Sequence, residues 1–106
     1  MIADIIKNNL VSIHGICEKF GVKSLHLFGS AADNTLTSKS DIDFLVDYFK
    51  DSEGLPKAPF DYFDILFSLE NITGKKVDLV VKDALRNSYF INSFNNNKVL
   101  IYEKRD

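Results

Sequence analysis

The chain has 106 residues, 45% of them hydrophobic, with a formal charge of −2 and a single cysteine. That length suits one domain, residues 1–106, which buries about two-thirds of the surface its unfolded chain exposes and leaves no room for a second lobe. Mixed charge of this size gives no broad attraction to nucleic acid or an anionic membrane, and one cysteine excludes both an internal disulfide and a cysteine-based zinc site.

Ile6, Leu10, Ile13, Cys17 and Phe20 recur at helical spacing, and Gly21 follows as a C-cap, which predicts a leading helix with Cys17 as a core thiol. Val22 to Phe28 then reads as a short strand, closed by Gly29, whose missing side chain lets backbone approach a phosphate. Ser30 adds a hydroxyl and a backbone N–H, and a short helix starting there would aim free N–H groups at an anion. Gly-Ser after a strand is by itself more often a plain turn. Small polar residues up to Ser40 predict a helical turn and a loop.

Asp41, Asp43 and Asp47 alternate with Ile42, Phe44, Val46 and Tyr48, the period of a strand with one acidic face turned outward. Two steps of strand rise set Asp41 and Asp43 roughly 6.6 Å apart along the backbone, close enough for both carboxylates to serve one hard divalent cation or bracket a pair. The bland reading is a solvated edge, but aspartate is disfavoured in strands and two in alternation need a reason.

Asp51 to Pro59, with Gly54, Pro56 and Pro59, is the clearest linker. Phe60 to Thr73 reads as a helix ended by Gly74, with a narrow polar stripe of Asp61, Asp64, Ser68 and Asn71. Its wide apolar remainder, including Tyr62, Phe63 and Phe67, is either covered by loops and the first helix or offered to a partner, another copy of the chain included. Lys76 to Val81 is an apolar strand with Asp78 at its heart. A salt bridge to Lys75, Lys76 or Lys82 would be the structural explanation for that acid. A buried ion pair stabilises a core poorly, which favours a cluster of Asp78 with Asp41 and Asp43 instead. Asp83 to Asn96 predicts a last helix and Val99 to Tyr102 a last strand. His14 and His26 belong to no spaced metal set and read as structural.

Phe28-Gly29-Ser30, ten residues, then Asp41-Ile42-Asp43, with a later acid in Val77-Asp78-Leu79, resembles the DNA polymerase beta-like nucleotidyltransferase superfamily. More narrowly the chain resembles the minimal nucleotidyltransferases of the MntA antitoxin type, palm-only proteins found beside a helical HEPN-domain toxin. The resemblance implies an α/β (α+β) palm: a small mixed sheet of about four strands with helices mainly on one face. It implies that Gly29 and Ser30 hold the triphosphate, that Asp41 and Asp43 bind two magnesium ions, and that Asp78 is a third acid, a metal ligand or an aid to deprotonation. ATP is the implied donor, and a tyrosine hydroxyl of the HEPN toxin the implied acceptor. Ala31 departs from the family pattern, which often carries Arg there; Lys39, Lys75, Lys82 and Arg86 are possible substitutes. Two other functions stay open: a binding module that neutralises its partner by contact, and transfer to a small-molecule alcohol. No apolar stretch approaches a membrane span and the first residues lack a signal-peptide pattern, so a cytoplasmic protein is expected.

Overall fold

The structure is a computed structural model that describes residues 2–33, 35–37, 39–56, 61–82 and 98–104. Among the described residues four helices, α1 (Asp4–Lys7), α2 (Leu10–Lys19), α3 (Ser30–Asp33) and α4 (Tyr62–Thr73), accompany four strands, β1 (Val22–Phe28), β2 (Ile42–Tyr48), β3 (Val77–Val81) and β4 (Val99–Glu103). The strands form one mixed sheet in the order β3-β2-β1-β4, with β1 antiparallel to β2 and β4, and β2 parallel to β3. The β2-α4-β3 crossover is what makes that last pair parallel, since two parallel strands cannot be joined by a tight hairpin.

Strand alternation divides the sheet's side chains. Leu25, Leu27, Ile42, Phe44, Val46, Val77 and Leu79 are buried in the core together with Ile13 and Cys17 of α2 and Ile65 and Leu69 of α4. Each such residue contributes about 1.5–3 kcal/mol on burial, so this layer dominates stability. The small mixed sheet with helices follows the expected architecture.

Local departures from the sequence reading have local causes. The single leading helix is two, because the Asn9 side-chain amide donates to the Ile5 carbonyl at 2.7 Å and competes with the helical pattern at the Asn8–Asn9 turn. Helix α4 starts at Tyr62 rather than Phe60, with Asp61 accepting from the Asp64 N–H at 3.0 Å as its N-cap, and it ends on Gly74 in the left-handed region at φ 67°. Of its apolar residues, Ile65 and Leu69 are buried and Tyr62, Leu66 and Ile72 pack partly on the core, while Phe63 and Phe67 are 63% and 59% exposed. Their rings stack on each other at 6.1 Å in the open. The first part of the linker is a turn closed by an isolated bridge between Lys50 and Pro56. The helix expected over Asp83 to Asn96 lies outside the described residues.

Both histidines have structural settings. His14 on α2 places Nε2 2.8 Å from the Ile101 carbonyl, with its ring edge-on to Tyr102, and so ties α2 to β4. His26 is half-buried in β1, its pKa lowered by burial and then by the charges of Lys98 and Lys82. Burial pushes the Cys17 thiol up to about 12, so it is an inert core group.

Candidate active site

β1 ends at Phe28, which pairs with Asp43 across the antiparallel ladder. The chain then turns at Gly29, whose φ of +71° lies in the left-handed region, and α3 begins at Ser30. A Cβ built on Gly29 would lie 2.5 Å from Asp43 Oδ2. Glycine is therefore required twice over, once for the backbone angle and once for the carboxylate that occupies the space beside it. The bend and the acid, fourteen positions apart by their numbers, are in contact.

The parallel ladder between β2 and β3 pairs Asp43 directly with Asp78. Partners on neighbouring strands point to the same face, about 5 Å apart at the backbone, so two carboxylates of like charge stand side by side. Asp41 precedes β2 by one residue and is exposed, as is Asp78. Asp43 is half-buried, and its pKa is raised first by burial, then by the charge of Asp78 and then by that of Asp41. Both physical causes favour the neutral acid, and both would be relieved by a cation on this face. Among the described residues the ion pair is Lys50 to Asp47 at 3.8 Å, not a lysine to Asp78.

The acid-face reading of β2 holds at one end only. Asp47 is buried, beside Ser24 on β1, with its Oδ1 accepting from the Tyr48 N–H at 3.0 Å. It lies four strand positions beyond Asp43 and takes no part in the Asp43–Asp78 pair.

The approach to Asp41 is braced. Thr37 and Ser40 are cross-bonded, with Thr37 N–H donating to Ser40 Oγ at 3.0 Å and Ser40 N–H to the Thr37 carbonyl at 3.1 Å. Lys75 Nζ donates to the same Thr37 carbonyl at 3.2 Å, and Ile42 N–H donates to the Lys76 carbonyl at 2.9 Å. The α4–β3 connection thus holds the loop that delivers Asp41.

Could the acids hold a metal ion? Among the described residues no group of three His, Cys, Asp or Glu side chains is drawn together tightly enough to cage one. Magnesium rarely asks for such a cage: it binds through one or two carboxylates plus substrate phosphates and keeps several waters. The paired hard oxygens of Asp43 and Asp78, with Asp41 alongside, fit that habit.

Ala31 is fully buried in the core, and its carbonyl accepts from the Ala3 N–H at 2.9 Å. The position where relatives often carry Arg is packed, so no cation reaches the site from it. Of the candidate substitutes, Lys75 is engaged with Thr37, Lys39 and Lys82 are exposed, and Arg86 lies outside the described residues. Reading the sequence missed Lys98, half-buried just before β4 and close enough to depress the pKa of His26. It also missed Tyr62, whose own pKa is raised by burial and then by the charge of Asp78.

Residues 13–101 match the nucleotidyltransferase domain model. The chain belongs to the nucleotidyltransferase family. A Methanocaldococcus jannaschii protein described as a candidate protein adenylyltransferase is 38% identical over 84 residues, covering 79% of this chain and 81% of the relative. The Thermococcus cleftensis protein adenylyltransferase MntA is 35% identical over 69 residues, 65% of each chain. The fold is shared with a solved candidate minimal nucleotidyltransferase, TM-score 0.73 at 22% identity over 93% of this chain and 95% of that one. It is shared also with a structure of the AMP-modified Shewanella oneidensis HEPN toxin in complex with its MNT antitoxin, TM-score 0.61 at 17% identity over 92% and 72%. The chain is thus a nucleotidyltransferase, and among its described residues no helix is long and apolar enough to cross a membrane.

Proposed function

We propose that this nucleotidyltransferase moves AMP from ATP to a protein hydroxyl, a tyrosine of a HEPN-type toxin, and so acts as an antitoxin in the cytoplasm. The observation that carries the site assignment is the side-by-side register of Asp43 and Asp78 beside the Gly29 bend. The protein acceptor draws on the named activity of the adenylyltransferase relatives and on the AMP-modified toxin of a fold neighbour.

In this reading Gly29 lets the triphosphate approach the backbone and Ser30 offers it a hydroxyl and an N–H. Asp41 and Asp43, with Asp78, would hold two magnesium ions, which when bound neutralise phosphate charge and acidify an acceptor hydroxyl. The acceptor oxygen bonds to the α-phosphorus in line as the bond to the bridging oxygen breaks and pyrophosphate leaves. The hydroxyl proton passes to Asp78 or to solvent. A tyrosine hydroxyl titrates near 10, so a carboxylate within reach helps at neutral pH. Most of the rate gain comes from orientation and charge compensation rather than covalent chemistry. The exposed Phe63–Phe67 pair supplies an apolar surface for the protein partner.

The test is to incubate the protein with labelled ATP, magnesium and the product of the neighbouring gene. Label on a tyrosine of that product is expected. No transfer, where nucleotide and metal demonstrably bind, defeats the proposal. One observation favours a second reading, contact neutralisation without turnover: buried Ala31 offers the phosphate side no cation from that position. Protection from the toxin that survives Asp41→Asn with Asp43→Asn would favour that reading.

A further inference from the structure

β3 is an edge strand of the described sheet, and an edge strand carries a row of backbone groups with no ladder partner. The Lys76 carbonyl accepts from Ile42 N–H, so the backbone groups of residues 76, 78 and 80 face β2 and those of Val77 and Leu79 face outward. Two of these outward groups, one on each side of Asp78, are nevertheless taken, and both by α4. Glu70 Oε2 accepts from the Val77 N–H at 3.0 Å. The Tyr62 hydroxyl donates to the Leu79 carbonyl at 2.6 Å. Each bond is partly buried, and a hydrogen bond to a charged acceptor is about twice as strong as a neutral one.

The consequence falls on the residue between them. Asp78 stands in register with Asp43, and their like charges push the two strands apart at that point. An edge strand held by one ladder would yield there. With α4 gripping the backbone immediately before and after Asp78, the repulsion cannot be relieved by moving β3.

We propose that Tyr62 and Glu70 are positioning residues that clamp β3 on both sides of Asp78 and hold its carboxylate against Asp43 for metal and triphosphate. The inference rests on the reading of Asp78 as the third acid of the site. Neither side chain touches the substrate; each acts through the backbone of β3.

The experiment titrates Mn2+ into the full-length protein saturated with a non-hydrolysable ATP analogue, and follows amide hydrogen exchange at Val77 in the same samples. Tyr62→Phe, which removes one oxygen and keeps the ring packing, and Glu70→Ala are each expected to weaken Mn2+ binding threefold or more. Glu70→Ala should also speed exchange at Val77. Glu70→Gln, whose amide oxygen still accepts from that N–H, should restore binding to within twofold of the native protein. In an Asp78→Asn background neither Tyr62→Phe nor Glu70→Ala should weaken binding further, a coupling that loss of general stability would not produce. Normal Mn2+ affinity in Tyr62→Phe and Glu70→Ala, with weakened affinity in Asp78→Asn, would overturn the clamp and leave the site standing. Unchanged affinity in Asp78→Asn would instead overturn the site reading, and the clamp with it. Should Glu70→Ala not fold, Tyr62→Phe alone decides between these outcomes.

Discussion

Replacing Gly29 by alanine separates stability from activity in a way the geometry specifies. The backbone there sits at φ +71°, which costs a residue with a Cβ about 1–2 kcal/mol. The new methyl would also lie 2.5 Å from Asp43 Oδ2, roughly 1 Å inside comfortable van der Waals distance. The nearest carbon of that side chain is already at 3.4 Å, so the clash is met by rotating the carboxylate rather than by moving the strand. Unfolding should therefore change little beyond the backbone term, a fall in Tm of about 4–16 °C for a domain of this size. The proposed adenylate transfer should fall far more, about 100-fold, because an oxygen proposed to bind metal, once displaced by ~1 Å, would no longer meet its target. The assays are thermal unfolding of the metal-free protein and initial rates with labelled ATP under saturating magnesium. Transfer within threefold of the native rate, at the lowered Tm, would refute the claim that the bend and Asp43 form one site.

Asp43→Asn should raise the Tm of the metal-free protein and abolish any further rise on adding magnesium with ATP, as differential scanning fluorimetry would show. The pH dependence has a definite sign: the folded pKa of Asp43 lies above its ordinary 3.8, so the folded state holds the proton more tightly. Native stability relative to Asp43→Asn should thus fall as pH rises from about 4 through the folded value, and a difference independent of pH would contradict the crowding of carboxylates. Asp61→Ala removes the side chain that caps α4 and should cost about 1 kcal/mol in urea denaturation, with a larger loss pointing to a role beyond capping. Phe63→Ser with Phe67→Ser removes exposed rings and should leave the urea midpoint nearly unchanged while weakening capture of the proposed toxin partner at least tenfold; intact capture would move the proposed partner surface elsewhere.

The elements legible in the sequence are those whose signal is local. Val22 to Phe28 is bounded by Gly21 and Gly29 and forms β1 with the same limits, and Gly74 stops α4 because its left-handed conformation is one that other residues resist. The Gly29–Asp41–Asp43 spacing and the lone acid of β3 likewise pointed to one end of a sheet, and the register brings Asp43 and Asp78 together. What periodicity could not show is which apolar and polar side chains face a strand edge. Tyr62 reads as one more member of an apolar face and nothing in the spacing singles out Glu70, yet each ends on the backbone of β3. The fate of Asp47 was also illegible: alternation puts it on the face of Asp43, but its burial depends on what covers that part of the sheet. The break at Asn8–Asn9 came from a side chain outcompeting the helical pattern, an effect that the spacing of apolar residues does not register.

The like-charged pair at one end of the sheet, shared between β2 and the edge strand β3, explains why so small a fold devotes α4 to an edge strand. Asp43 opposite Asp78 is destabilising in the absence of a cation, and an unanchored β3 would relax by sliding or fraying. Register is strictly specified here because a slip of one residue would carry Asp78 into the layer of Val77 and Leu79 and expose those residues in exchange. Apolar burial fixes the strand's register, the side chains of α4 fix its position, and the remaining electrostatic strain has no structural outlet. In the proposed function a divalent cation arriving with a triphosphate would discharge it, so metal affinity and the repulsion between Asp43 and Asp78 would have the same source.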